Sequence, residues 1–141
     1  MVLKQFKNSK DIVYATVSYD AESNCVMDTW EGFFGSQDNF RSVVLYVAEV
    51  IAEKKAVKWL ADLSKMNGSF DGSKDWLVSE IMPKVIQAGL LYEAIVLPKN
   101  VFSKLSARDT ITKIKDFELR QFDDINQAKA WLNQGTEAMI G

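Results

Sequence analysis

The stretch "ADLSKMNGSFDGSKDW", residues 61–76, gathers the chain's most chemically suggestive side chains. Asp62 and Asp71 are carboxylates that could share a proton or a magnesium ion. Ser64, Ser69 and Ser73 are hydroxyls open to phosphorylation. Gly68 and Gly72 would let a backbone approach an anion, with Ser73 leaving N–H groups free at a helix start. A plainer assignment stands beside each of these. Asp62 bonds the backbone of its own loop, Ser73 caps the helix that follows, and the glycines make turns. No Walker-type loop and no dinucleotide fingerprint is present.

Composition removes much of the remaining chemistry. The chain of 141 residues contains no histidine, which excludes His-based acid–base catalysis, Ser-His and Cys-His nucleophile pairs and His-ligated metals. Its one cysteine, Cys25, lies in an expected strand as a small apolar residue and cannot form an internal disulfide. Seventeen basic and 19 acidic residues give a net charge of −2 with both signs scattered, so no nucleic-acid partner is expected. No apolar run approaches the ~20 residues of a membrane span, and none has the character of a signal peptide. The default expectation is a cytoplasmic single domain over residues 1–141, without metal or cofactor.

The elements that must position the loop follow from hydrophobic periodicity. Ile12–Tyr19 and Cys25–Trp30 read as a hairpin around the turn Asp20–Asn24, with Cys25, Met27 and Thr29 on one face and Val26, Asp28 and Trp30 on the other. Phe40, Val43, Val44, Val47, Val50 and Ile51 mark a helix capped by Ser36, with Asp38 in its first turn and Lys54 and Lys55 at its end. Val57–Leu63 reads as a central strand. Leu77, Val78, Ile81, Met82, Val85 and Ile86 form a wide stripe on a helix over Lys74–Ala88, which Pro83 should kink and Gly89 should end. Leu91–Leu97 is the next strand. Asn100–Ile114 reads as helical, with Ser106 and Asp109 restarting it. Phe117–Phe122 is a last strand, and Asp123 or Asp124 caps a closing helix with Ile125, Ala128, Trp131 and Leu132 inward, its tail loose from Gly135. The order implies an α/β fold with a mostly parallel sheet of about five strands, an N-terminal antiparallel hairpin and about four helices.

Three segments carry a family resemblance: "KWLADLS" (Lys58–Ser64), "YEAIVLP" (Tyr92–Pro98) and "RQFDDINQAKAWL" (Arg120–Leu132). With the element order, they resemble the STAS domain, the SpoIIAA-like fold of anti-sigma factor antagonists. More closely, the chain resembles small, mostly uncharacterised bacterial proteins grouped as STAS/SEC14-like. In phosphoregulated members the loop after this strand carries Asp-Ser-Ser-Gly. The corresponding residues here are Asp71-Gly72-Ser73-Lys74, so Ser73 matches only the second serine.

The resemblance implies a non-enzymatic regulatory module. It would bind a protein partner through the loop Ser64–Ser73 and the helix Lys74–Ala88, with Asp62, Ser64, Asp71, Gly72, Trp76 and Met82 at the contact. Phosphorylation of Ser69 or Ser73 would tune it. The SEC14 side of the name implies an alternative, a carrier of a small apolar or lipid-like ligand, whose pocket would draw on Phe33, Phe34, Trp59, Phe70 and Trp76. A third reading is a carboxylate-dependent hydrolase using Asp62 and Asp71. A homodimer through the hairpin edge or the aromatic surface is compatible with all three.

Overall fold

The computed structural model describes residues 1–102, 111–114 and 116–140. The chain runs β1 (Val2–Lys7), β2 (Val13–Asp20), β3 (Cys25–Phe33), α1 (Gln37–Lys54) and β4 (Lys58–Asn67). A 3-10 turn (Asp71–Ser73), α2 (Lys74–Trp76), a π turn (Leu77–Ile81) and α3 (Met82–Gln87) then follow without a break. β5 (Tyr92–Val96), α4 (Lys99–Phe102), β6 (Ile111–Ile114), β7 (Phe117–Phe122) and α5 (Ile125–Ile140) complete it.

These strands form one mixed sheet of seven, ordered β1-β2-β3-β4-β5-β7-β6. β3, β4, β5 and β7 are mutually parallel, and β1, β2 and β6 join antiparallel at the two sides. The α/β class, the opening hairpin and the parallel centre agree with the sequence reading, and the strand count exceeds it by two. The two additions are the edges. β1 is interrupted by register shifts between Val2 and Lys4 and between Phe6 and Lys7, so its inward residues Leu3 and Phe6 are three apart. The period-2 signal of a strand is therefore lost. β6 falls inside the expected helix Asn100–Ile114, which is helical only over Lys99–Phe102 in the described residues. "ITKI", three of its four residues β-branched, pairs with β7 instead. Ser106 and Asp109 lie outside the described residues.

Alternation in β3 puts Val26, Asp28 and Trp30 on the face covered by α1 and the 71–87 segment, and Cys25 and Met27 on the face covered by α5. The first face holds the larger core, built from Tyr14, Trp30, Phe34, Phe40, Trp59 and the α1 valines. Ser36 caps α1 by accepting the N–H of Asn39, as its sequence position implies. Asp124 opens α5, its Oδ1 accepting from Asn126 N at 3.2 Å. That helix continues past Gly135 to Ile140, beyond the point where the sequence suggested a loose tail.

The helix expected over Lys74–Ala88 is wound unevenly. Pro83 has no N–H to give residue 79, and its ring crowds that carbonyl. The chain absorbs this by widening one turn, with Met82 N–H bonding the Leu77 carbonyl, and Pro83 then sits in the first turn of α3 where no donor is needed.

Candidate functional site

The segment 61–76 is partly strand. Lys65, Met66 and Asn67 pair with Glu31, Gly32 and Phe33, so β4 extends past its expected end at Leu63 and the true loop begins at Gly68. A register shift between Thr29 and Glu31 marks a bulge across Leu63 and Ser64, and beyond it β4 stays paired with β3 while its pairing with β5 has ended at Asp62.

Loop and α1 are joined by a compact polar network. Ser73 is fully buried, and its Oγ donates to Gln37 Oε1 at 2.7 Å and accepts from Arg41 Nε at 3.1 Å. Arg41 also donates to the Gly72 carbonyl, and Gln37 Nε2 donates to the Ser69 carbonyl at 2.9 Å. The Arg41 guanidinium lies over the Trp76 ring, 5.2 Å from its centroid. Ser73 therefore does not cap the helix, contrary to the sequence reading, and its hydroxyl makes no cap hydrogen bond. It is a buried tie to α1. Ser69 is exposed, and its Oγ accepts the Asp71 N–H.

The two aspartates are held separately. Asp62 Oδ1 accepts both the N–H and the hydroxyl of Ser64, at 3.1 and 2.6 Å. Asp71 is exposed beside Lys74, whose ammonium at 2.9 Å holds the carboxyl below its ordinary value with help from the Ser69 hydroxyl. Among the described residues no group of three or more cysteines, aspartates or glutamates is placed to hold a metal ion.

A cleft of about 470 Å³ opens at the carboxyl ends of β4 and β5. Leu63, Met66, Phe70, Ile95, Leu97 and Val101 give it an apolar wall, and Ser69, Asp71, Lys74 and Gln121 line its polar side. Gln121 Oε1 is buried and has no hydrogen-bond partner among the described residues. This is where open parallel sheets take ligands, because strand ends and helix starts diverge there.

Of the five aromatics expected round an apolar pocket, Phe70 lines this cleft, its ring stacked on Phe40 at 5.1 Å. Phe34 and Trp59 are core residues, and Phe33 is 59% exposed, stacked on Phe34. The helix residues stay partly uncovered. Val78 is 70% exposed, while Trp76, Leu77 and Met82 are half-buried.

Sequence reasoning did not single out Gln37 or Arg41, which hold the loop from a helix 31 to 36 residues away. It also passed over three buried ionisable groups in the sheet: Asp28, Lys58 and Glu93. Asp28 had a visible signal, since alternation places it inward between Val26 and Trp30. Lys58 and Glu93 sit within the apolar runs "AVKWLADL" and "LYEAIVL", where a buried charge shows as a single break.

Comparison with protein-family models, with curated proteins and with solved structures returns no match for this chain. No helix among the described residues is long and apolar enough to cross a membrane.

Proposed function

We propose that the protein is a non-enzymatic, STAS-type regulatory module. It docks a protein partner on the loop 68–73 and the helical segment 71–87, with Ser69 as the phosphorylation point that tunes the contact. The observation that carries this reading is the width of the apolar stripe on that segment. The core takes Ile81 and Val85, yet Val78 stays 70% exposed and Met82 half-buried beside the widened turn. π turns recur at functional sites, and an apolar edge left outside the core is what a partner would bury. The Gln37–Ser73–Arg41 network fixes the segment before any partner arrives, which lowers the ordering cost of binding.

The experiment is cross-linking mass spectrometry of the protein and its Val78→Asp variant in the source cells. A partner linked to residues 64–87 and lost in Val78→Asp, with the variant's stability within about 0.5 kcal/mol of the parent, is the expected result. A partner contact centred elsewhere, or indifferent to Val78→Asp, overturns it.

The apolar cleft with its unpartnered Gln121 oxygen favours a second reading, a carrier of a small, mainly apolar ligand. That reading expects added mass in a native spectrum that disappears on denaturation, and a native mass equal to the bare chain counts against it.

A further inference from the structure

A second cavity lies on the opposite face of the sheet. α5 packs on β4, β5 and β7. Beside it, over β2 and β3, a space of about 290 Å³ opens, floored by Cys25, Met27, Lys58 and Leu60 and closed on the helix side by Leu132. This size is near the lower end of small-molecule sites.

Lys58 is the anomaly in it. As the first residue of β4 it pairs with Cys25 and Tyr92, and 1% of its surface is exposed. Its Nζ is buried without a hydrogen-bond partner among the described residues, although an ammonium group carries three donors. Burial lowers its pKa, so the site disfavours the charge that an acceptor would stabilise.

Neighbouring groups do not meet this demand. The Asp20 carboxylate lines the cavity and favours the Lys58 charge from a distance, but its oxygens accept Glu22 N–H and the Ser23 hydroxyl and make no hydrogen bond to Nζ. The Tyr19 hydroxyl donates to Asn24 at 2.6 Å. The Cys25 thiol is pushed up to about 12 by burial and donates weakly to the Val26 carbonyl, so it offers no thiolate. Lys129, exposed on α5, adds a second cation at the rim. Met27, Leu60 and Leu132 give the wall an apolar side, and Ser18, Ser23 and Asn133 add polar groups to it.

We propose that this cavity binds a small carboxylate with a short apolar tail, its head accepting from Lys58 Nζ and its tail lying against Met27, Leu60 and Leu132. A carboxylate supplies the missing acceptor and the counter-charge together. The flexible lysine stem can present its amine to the cavity without moving β4.

The test is an NMR titration of the full chain with sodium octanoate, with 1-octanol as the uncharged control. Saturable shifts at Met27, Leu60 and Leu132 are expected, with Lys58 ¹³Cε moving at the same midpoint and octanol at least tenfold weaker. Lys58→Met should weaken octanoate at least tenfold and fold at least as stably as the parent, because an apolar side chain replaces an unpaired buried amine. Should that variant not fold, the Lys58 ¹³Cε signal of the parent decides alone. Absence of saturable shifts at these residues, a Lys58 ¹³Cε that stays still while octanoate saturates, or equal affinity in Lys58→Met overturns the proposal.

Discussion

Trp59 on β4 donates its indole N–H to Asp28 Oδ1 on the neighbouring strand β3 at 2.5 Å, beneath α1 and the 71–87 segment. Trp30 holds the other carboxylate oxygen at 2.6 Å. Two indole donors favour the ionised carboxylate, but complete burial outweighs them and raises the Asp28 pKa to about 6. Glu93, on the same face of β5 and paired in register with Trp59, is raised well above its ordinary value by burial and by Asp28.

The sign of the pH dependence follows. The folded state holds both protons more tightly than the unfolded chain, so the protein binds more protons folded than unfolded wherever these groups titrate. The stability tied to them is fully present below the unfolded pKa of Asp28, 3.8, is lost as pH rises through about 6, and falls further as Glu93 titrates above its own ordinary value. For Asp28 alone the loss between those limits is about 3 kcal/mol, at 1.36 kcal/mol per unit. Urea unfolding at pH 4.5, 6.0 and 7.5 should show the midpoint falling monotonically. A midpoint that rises toward pH 7.5 would contradict this account of the core.

Glu93→Gln keeps the shape of the protonated side chain and removes its titration. It should raise stability at pH 7.5 relative to the parent, with the advantage vanishing by pH 4.5. Asp28→Asn leaves one oxygen for two indole donors, so one Trp N–H is stranded in the core. It should lose about 1–3 kcal/mol at pH 4.5, where the parent carboxyl is largely protonated. Chemical denaturation of the two variants at both pH values checks the pair, and the indole N–H resonances of Trp30 and Trp59 in NMR report which has lost its acceptor.

Ser69 should tolerate added charge and Ser73 should not. Ser69 is exposed and its hydroxyl makes one backbone contact, so Ser69→Asp should melt within a few degrees of the parent. Ser73 has no exposed surface and its hydroxyl is shared between Gln37 and Arg41. Ser73→Ala should cost about 1–3 kcal/mol by leaving those partners unsatisfied, and Ser73→Asp should cost more, because the bulkier carboxylate cannot fit. Parallel thermal melts rank the three variants. A phosphate found by mass spectrometry on Ser73 of the folded protein would require α1 and the loop to separate first.

Periodicity made the centre of the molecule legible. The Cys25–Trp30 alternation, the α1 stripe and the cap at Ser36 all appear where the sequence places them. The edges were obscured for identifiable reasons: two register shifts in β1 break its alternation, and "ITKI" is too short to outweigh the helical pattern before it. At the candidate site, Asp62 serving Ser64 could be anticipated from local chemistry. The burial of Ser73 could not, because its partners lie on α1 at separations that no local pattern encodes. Pro83 announced a disturbance of its helix but not its form, since a widened turn and a sharp kink both relieve the same missing donor.

Gly68 marks the point where β4 gives way to the loop, and its φ of +121° lies where L side chains are strained. A Cβ there would also meet the Phe34 ring at 3.2 Å, and Phe34 is wedged against Trp30 and Phe40 and cannot easily yield. Gly68→Ala therefore combines backbone strain with a clash against a fixed ring, and should destabilise by about 1–3 kcal/mol. The damage should be local. Phe70 and Ser69 would be displaced from the cleft, while the α5 face, on the other side of the sheet, keeps its spectrum. Hydrogen exchange of the variant should show faster exchange through residues 66–76 and parent-like protection in β5 and α5. Uniform loss of protection would mean that this turn is needed for the whole fold and not only for the loop.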